Sequence, residues 1–252
     1  MKKNTCIFCN STTKRLKYNL PTFHHFGFKT ISKKVVFRQC LNCLVIFNTK
    51  KIRNEYFEGK KYFTNEEKDH ILEKRNKVTI TRASELAKIL KKELKNKSNL
   101  KILETGCNEG LLLTKLNKKI NNGFFYGLDE NRYNKKNFPA KINFHFLDSP
   151  DIEKIKKETF HLIILSHVFN YFNEPRKILF ELKNSLKLNG QLFVVVPDIK
   201  KNPFYSLMGD QKLILSHKSI INILNLSGFK TKIIEDTTPP APKINIFLFF
   251  TL

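Results

Sequence analysis

The chain has 252 residues, of which 41% are hydrophobic and 27% are charged, and this composition is typical of a soluble globular protein. Its longest apolar runs, such as residues 244–252, are too short to cross a bilayer as a helix. The lysines at the start are not followed by the apolar segment of a secretory signal. We therefore expect a cytoplasmic protein, in which paired cysteines bind a metal more often than they form disulfides.

The net charge of +24 comes mostly from lysine, since only seven of the 46 basic residues are arginine. Arginine makes the bidentate contacts to bases and phosphates, whereas lysine is a solvated point charge. The lysines are spread over the whole chain, so the charge favours a solvated basic surface over a dedicated nucleic-acid face. Such a charge also favours anionic partners in general.

Four of the five cysteines lie in the first 60 residues as two C-x-x-C pairs, Cys6 with Cys9 and Cys40 with Cys43. Two such pairs are typical of a structural zinc site in which four thiolates bind the ion tetrahedrally. The sequence thus predicts a small zinc-ribbon-like module over residues 1–60 and a larger domain over residues 61–252. A site closed by four thiolates has no position for a reactive water, so we expect a structural metal and not a catalytic one.

The rest of the chain alternates between helix-type and strand-type patterns. Over residues 65–97, apolar residues recur at near-helical spacing, which predicts a helical segment. From residue 100 onward, short β-type runs alternate with amphipathic stretches, which is typical of a parallel sheet with crossover helices. The predicted strands cover residues 100–104, 124–129, 142–147, 160–166, 191–196, 231–235 and 244–251. The predicted helices cover residues 110–119, 131–137, 151–157, 175–188 and 216–226, and Asn189-Gly190 and Ser227-Gly228 are predicted helix stops with glycine in the left-handed conformation.

The first predicted strand of this domain runs into a glycine turn and then a helix, with the sequence ILETGCNEG at residues 102–110. Ligands bind at the carboxyl edge of the sheet in folds of this kind. Gly106 and Gly110 are four residues apart, so the segment is not the G-x-G-x-x-G fingerprint of dinucleotide-binding domains. Glu104, just before the turn, suits a ligand with an ammonium group.

Two further acids follow the next two predicted strands. Asp129 ends the second strand, 23 residues after Gly106, near the offset at which an acid meets ribose hydroxyls in this architecture. Asp148 follows the third strand, with Ser149 beside it, where an acid can accept from an adenine amino group. One acid after a strand is commonplace, but three in order at the same edge predict a nucleoside site.

These segments resemble the class I S-adenosylmethionine-dependent methyltransferases, in particular the branch with an N-terminal cysteine module. Residues 104–110 (ETGCNEG) resemble the E-x-G-x-N-[DE]-G variant of that group's cofactor loop, residues 160–168 its fourth strand, and residues 186–197 its L-K-P-G-G-x-L-x-V-x-V-P segment. The resemblance implies a doubly wound α/β fold with a seven-stranded, mostly parallel, Rossmann-like sheet, which would be the methyltransferase domain at residues 61–252. It also implies S-adenosylmethionine as cofactor, bound by Glu104, Gly106, Asn108, Gly110, Asp129, Asp148, Ser149 and Ser166.

The chain departs from the family's pattern at positions that concern catalysis. His161 stands where the family usually has Asp, Asn170-Tyr171 where it has Glu-His, and Gln211 where a histidine is common. The missing Glu-His pair leaves the acid–base role open. We predict His167, at the exit of the fourth strand, and Tyr171 as the candidate catalytic residues; a structural cap is the alternative role for His167.

The resemblance is specific for the superfamily and weak for the acceptor. In the branch with the zinc module the acceptor is a sugar, a sugar nucleotide or a glycan, so a small molecule of this kind is the expected substrate. One alternative is an RNA methyltransferase that holds RNA with the zinc module and the basic surface. A second is a non-catalytic interaction module, which the altered positions suggest and the retained Glu104, Gly106, Gly110 and Asp129 oppose. The oligomeric state is left open.

Overall fold

The computed structural model describes residues 4–17, 22, 35–51, 71–75, 78–94, 97–129, 143–146, 160–201, 203–234 and 245–251. Within these residues the helices are α1 (Arg82–Leu94), α2 (Leu111–Asn117), α3 (Pro175–Ser185) and α4 (His217–Leu226), with short 3-10 helices at Phe169–Tyr171 and Pro203–Leu207. The strands are β1 (Thr13–Leu16), β2 (Phe37–Cys40), β3 (Ile46–Asn48), β4 (Ile71–Arg75), β5 (Val78–Thr81), β6 (Lys101–Thr105), β7 (Phe124–Asp129), β8 (Asn143–Phe146), β9 (Phe160–Ser166), β10 (Leu186–Pro197), β11 (Leu213–Ile214), β12 (Lys230–Ile234) and β13 (Asn245–Thr251). None of the described helices is long and apolar enough to cross a membrane.

Seven of the strands form one sheet in the order β12-β13-β10-β9-β6-β7-β8. β13 is antiparallel to both of its neighbours, and the other neighbouring strands pair in parallel. The chain therefore builds outward from β6 to β8 and then returns to β9 on the other side of β6. This reversal creates a topological switch point between β6 and β9, where open α/β sheets bind their ligands. The predicted doubly wound α/β fold is confirmed.

Each face of this sheet has its own buried core, because alternate residues of a strand point to opposite sides. On one side, Ile102, Ile164 and Val195 pack with the apolar residues of α1 and α2. On the other side, Leu103 and Val194 pack with α3, α4 and the cysteine-containing segment. Burial on both faces explains why residues 162–165 of β9 and residues 192–196 of β10 are continuously apolar in sequence.

The predicted strands of the main sheet are all present. β7 and β9 have the predicted bounds, β6 is shifted by one residue at both ends, and β12 begins one residue before its predicted start. The predicted strand ends at residues 142, 147, 235 and 244 lie outside the described residues. β10 begins at Leu186, five residues before the predicted start, because α3 ends earlier than expected. The first predicted helix stop is therefore wrong, and Asn189, not Gly190, is left-handed with φ 60°. Gly228 follows α4 with φ 79°, as predicted.

The helix predicted over residues 65–97 is wrong in its first half. Residues 71–75 and 78–81 form the antiparallel pair β4 and β5, and α1 begins only at Arg82. Residues 78–81 (VTIT) are all β-branched, and such side chains favour the extended conformation. α1 keeps the predicted amphipathic pattern, with Leu86 and Leu90 buried. The helices predicted over residues 131–137 and 151–157 lie outside the described residues.

A second, smaller sheet joins the cysteine-containing segment to the larger domain. Its order is β1-β2-β3-β11, so its last strand comes from the C-terminal half of the chain. Ile46 pairs with Ile214, and the backbone NH of Asn48 donates to the Lys212 carbonyl oxygen at 2.8 Å. The segment is therefore packed directly on the residues that precede α4. The domain boundary predicted at residue 60 lies outside the described residues.

Candidate functional site

The turn after β6 contains three residues in the left-handed conformation. Gly106, Asn108 and Gly110 have φ angles of 71°, 49° and 70°, a region that glycine enters freely and asparagine more readily than most residues. The backbone NH of Gly106 donates to the carbonyl oxygen of Leu128 at 2.7 Å, which ties the turn to β7. A Cβ atom at position 106 would lie 2.8 Å from Cγ2 of Val168. Glycine is therefore required here by both the backbone angle and the space.

Asp129, the last residue of β7, holds this turn. Its Oδ2 accepts a hydrogen bond from the backbone NH of Asn108 at 2.7 Å. β6 and β7 are parallel neighbours with Thr105 in register with Leu128, so both strands end at the same edge of the sheet. The structure thus brings together two predicted ligand-binding segments, the glycine turn and the end of the second strand.

Glu104 lies one residue before the end of β6 and is only 4% exposed. Its Oε2 atom is buried and has no hydrogen-bond partner among the described residues. Burial, assisted by the charge of Asp129 and opposed by that of Arg82, raises the pKa of Glu104 to about 8. A buried carboxyl with an unpaired oxygen at the ligand-binding edge of a sheet is a candidate for contact with a cationic ligand group.

The end of β9 adjoins the glycine turn. Ser166 is the last residue of β9 and lies in register with Val195 of β10. His167 follows with φ 58°, and its backbone NH donates to the Val195 carbonyl oxygen at 2.9 Å. A left-handed histidine is uncommon, and residues held in such conformations cluster at functional sites. The next residue, Val168, lies against Gly106.

A buried polar cluster lies beside this strand end. Asn170 and Tyr171 belong to the 3-10 helix after β9, and Asp210 and Gln211 lie just before β11. The two stretches are joined by the backbone NH of Lys212, which donates to the Asn170 carbonyl oxygen at 2.9 Å. Burial, followed by the charge of Asp210, raises the pKa of Tyr171 well above its usual range. The phenol of Tyr171 is therefore protonated at neutral pH and is suited to donate a hydrogen bond, not to act as a base.

The predicted cofactor-binding residues on β6, β7 and β9 and in the glycine turn all lie at one edge of the sheet. Asp148 and Ser149 lie outside the described residues, so their predicted role is unchanged.

Two further polar residues at this edge, Arg82 and Asp210, belong to no motif in the sequence. Burial raises the pKa of both Glu104 and Tyr205, and the charge of Arg82, the first residue of α1, partly offsets each rise, which places Arg82 near both groups. Asp210 is 7% exposed and acts on the phenol of Tyr171. These residues are distant from the glycine turn in sequence, and only the fold brings them to the site.

The four cysteines of the two C-x-x-C pairs converge on one point. Their Sγ atoms all lie within 4.8 Å of one another, with Cys6 and Cys43 at 3.6 Å and Cys9 and Cys40 at 3.5 Å. Four sulfurs bound tetrahedrally to one zinc ion at about 2.3 Å would be about 3.8 Å apart. The backbone NH of Phe8 donates to Cys6 Sγ at 3.4 Å, and the NH of Cys43 donates to Cys40 Sγ at the same distance. The cluster is compatible with a zinc site.

The strand order of the main sheet, the glycine turn after β6 and the acid at the end of β7 together define an α/β domain of the methyltransferase class. Residues 78–230 match the family described as "Methyltransferase domain". The match covers more than half of the chain, and the chain belongs to this family.

Several solved structures share this fold at low sequence identity. A SAM-dependent methyltransferase from Aquifex aeolicus is 21% identical, with a TM-score of 0.52, over 66% of this chain and 88% of that one. An S-adenosylmethionine-dependent methyltransferase from Mesorhizobium loti is 14% identical, with a TM-score of 0.54, over 66% and 96%. The plantazolicin methyltransferase in complex with SAH is 14% identical, with a TM-score of 0.53, over 67% and 81%. A comparison with curated proteins gives no match.

Proposed function

We propose that the protein is an S-adenosylmethionine-dependent methyltransferase whose acceptor is a small molecule: a sugar, a sugar nucleotide or a surface-glycan precursor. The observation that carries the choice of cofactor is the buried Glu104 carboxyl, whose Oε2 has no partner among the described residues. S-adenosylmethionine has an ammonium group to pair with it and no pyrophosphate, which agrees with a turn that has glycine only at positions 106 and 110.

The other residues at this edge also fit the cofactor. Asp129, which ends β7 and is hydrogen-bonded to the backbone of Asn108, has a carboxylate that would accept a hydrogen bond from a ribose hydroxyl. The Asn108 Oδ1 atom is buried without a hydrogen-bond partner in the described part of the chain. When bound, the cofactor supplies an activated methyl group for an in-line displacement. The chain's own part is to hold acceptor and methyl group in line and to exclude water, an alignment effect that is worth about 7–11 kcal/mol in favourable cases.

A structural zinc ion bound by Cys6, Cys9, Cys40 and Cys43 completes the proposal. Four thiolates fill a tetrahedral ion, so the metal would stabilise the fold and not bind substrate. Metal bound there would fix β2 and β3, and β3 pairs with β11. The zinc site would thereby support the residues just before β11, which belong to the polar cluster of the candidate site.

The proposed acceptor class is supported by the resemblance to the methyltransferase branch that carries an N-terminal cysteine module. The net charge of +24 favours an anionic acceptor, and a sugar nucleotide is one. RNA is also anionic, but the charge is mostly lysine spread along the chain, whereas RNA recognition favours arginine. The small acceptor is therefore the preferred proposal.

Calorimetric titration of the zinc-loaded protein with S-adenosylmethionine tests the cofactor site. We expect micromolar affinity and a loss of at least about tenfold in Asp129→Ala, which corresponds to about 1.4 kcal/mol. Glu181→Gln is the matched control, because Glu181 lies in the second half of α3, which leads to the opposite edge of the sheet. No binding by the folded, zinc-loaded protein would refute the proposal and favour a non-catalytic interaction module.

The acceptor class needs a second experiment. Tritium-labelled S-adenosylmethionine is incubated with the protein and either a panel of sugar nucleotides or total RNA. Label in the sugar nucleotides supports the proposed acceptor. Label in RNA alone refutes the small acceptor while leaving the cofactor assignment in place.

A further inference from the structure

The residues just before β11 are fixed by contacts that do not involve the glycine turn. The backbone NH of Lys212 donates to the Asn170 carbonyl oxygen at 2.9 Å, and Asn48 Nδ2 donates to the Gly209 carbonyl oxygen at 3.1 Å. Lys212 Nζ donates to the carbonyl oxygen of Asn48 at 2.7 Å. Residues 208–212 are thus held between the 3-10 helix after β9 and the end of β3.

Two amide side chains of the polar cluster each have a buried polar atom that can form a further hydrogen bond. Asn170 is 3% exposed and Gln211 is 2% exposed. Asn170 Oδ1 and Gln211 Nε2 have no hydrogen-bond partner of good geometry among the described residues. Both side chains lie close enough to the phenol of Tyr171 to offset part of the rise that burial causes in its pKa. A buried polar group without a partner costs about 1–3 kcal/mol, so a ligand that pairs with both atoms is favoured. A hydroxyl group offers the donor that Asn170 lacks and the acceptor that Gln211 lacks.

Asp210 adds a carboxylate to the same cluster. It is 7% exposed. After burial, its negative charge is the next cause of the raised pKa of Tyr171, so the two groups are close. Tyr205 is the other titratable group that contributes to the raised pKa of this phenol. The ammonium of Lys212 is directed to two backbone carbonyl oxygens at the end of β3 and just beyond it. The carboxylate therefore stands beside a protonated phenol and two amides.

The cluster adjoins the proposed cofactor site through Val168. This residue lies against Gly106, and its carbonyl oxygen accepts a hydrogen bond from the backbone NH of Tyr171 at 2.9 Å. Arg82 acts electrostatically both on Tyr205 and on the buried carboxyl of β6. A group held in the cluster is therefore next to the edge at which the methyl donor would bind.

We propose that this cluster is the acceptor site, that Asp210 is the base that takes the proton of a hydroxyl acceptor, and that Asn170 and Gln211 recognise that acceptor. The inference rests on the proposed function and names a polyhydroxylated compound as the substrate. The acceptor oxygen bonds to the methyl carbon while the carbon–sulfur bond of the cofactor breaks and its electron pair stays on sulfur. The hydroxyl proton passes to the Asp210 carboxylate, and the phenol of Tyr171 donates to a neighbouring oxygen of the acceptor.

The test compares methyl transfer to the sugar-nucleotide panel by the wild-type protein and by Asp210→Asn, both zinc-loaded. A general base contributes about 10²–10⁴-fold, so we expect transfer by the variant to fall at least about 100-fold. Its affinity for S-adenosylhomocysteine, measured by calorimetry, is expected to stay within about twofold. Asp198→Asn is the matched control, since Asp198 is also buried, at 3% exposed, and its carboxylate is used in a turn, where Oδ1 accepts from the Lys200 NH at 3.0 Å.

The pH dependence of the rate separates a base from a merely structural carboxylate. In the wild type the rate is expected to rise about tenfold per pH unit on the acid side, and Asp210→Asn loses this limb.

Three results would overturn the inference. The first is an Asp210→Asn protein that transfers at more than about a tenth of the wild-type rate. The second is an acid limb that survives in Asp210→Asn and disappears in His167→Gln. The third is normal binding of S-adenosylhomocysteine with no transfer to any hydroxyl acceptor. Failure of the wild-type protein to bind the cofactor is a different result, because it refutes the proposed function itself.

Discussion

Replacing Glu104 with glutamine is expected to stabilise the ligand-free protein, and to do so more at high pH than at low pH. The carboxyl is 4% exposed, and its pKa is raised by burial from 4.5 to about 8 in the folded protein. Between these two values the unfolded chain releases its proton while the folded chain keeps it. Because the folded state then binds more protons, the contribution of Glu104 to stability falls as the pH rises through this window.

The size of the effect follows from the shift. A pKa raised from 4.5 to about 8 corresponds to roughly 5 kcal/mol once the pH exceeds both values. Relaxation and water entry reduce such penalties, so this figure is the upper limit. For a chain of this size 1 kcal/mol moves the midpoint of thermal unfolding by about 2–4 °C. Glu104→Gln should therefore raise the midpoint by roughly 10 °C near pH 8 and by little near pH 5.

Thermal unfolding of the ligand-free, zinc-loaded protein measures this directly. The wild type, Glu104→Gln and the control Glu181→Gln are compared at about pH 5 and about pH 8. The same residue has a signature in cofactor binding, because an ammonium group paired with Glu104 favours the ionised carboxylate. Binding of S-adenosylmethionine should therefore release a proton at pH values just below about 8, where the ligand-free carboxyl is still protonated. Calorimetry in two buffers of different ionisation enthalpy detects this release.

Two outcomes would refute this reasoning. A Glu104→Gln protein that is less stable than the wild type near pH 8, or a stability difference that does not grow with pH, would show that the carboxyl is not buried and unpaired. If proton release on cofactor binding persists unchanged in Glu104→Gln, the proton comes from another group.

Three further predictions concern the turn, the contact between the two sheets and the metal. Gly106→Ala should lower the free energy of unfolding, measured in urea, by about 1–3 kcal/mol. Adding Val168→Ala should restore only the part of this loss that is due to the steric contact. Full recovery in the double variant would contradict the proposed backbone strain at position 106. Lys212→Met removes two hydrogen bonds from a buried ammonium to backbone carbonyl oxygens and should cost about 2–4 kcal/mol in the same assay. An unchanged midpoint would contradict those hydrogen bonds. Cys43→Ser should abolish zinc in elemental analysis while Cys107→Ser retains it, and equal zinc in both would remove Cys43 from the site.

Most of the fold could be predicted from the sequence because its signals are local. Residues 162–165 of β9 are apolar and fully buried, as expected for a central parallel strand. Ser227-Gly228 ends α4 with a left-handed glycine, which is a short-range signal of the same kind.

The error over residues 65–97 has a physical cause. Ile71, Leu72, Val78 and Ile80 fit helical spacing about as well as they fit a hairpin, so periodicity alone cannot decide between the two. The β-branched run at residues 78–81 is the signal that separates them, and it favours β5. Pairing of β4 with β5 then decides the conformation, and a pairing is not a property of either segment by itself.

The two parts of the candidate site, the proposed cofactor-binding edge and the polar cluster, also differ in how well the sequence predicts them. Glu104 and Asp129 lie at or near the ends of neighbouring parallel strands, and parallel strands always bring their carboxyl ends to one edge, so a strand prediction already places these acids together. Arg82 and Asp210 reach that edge from the start of α1 and from the residues before β11, whose position depends on the pairing of β11 with β3. The proposed donor half is therefore built by the main sheet alone, while the polar cluster depends on the cysteine-containing segment as well. Changes in that segment should accordingly alter which acceptor is bound without altering how the methyl donor is held.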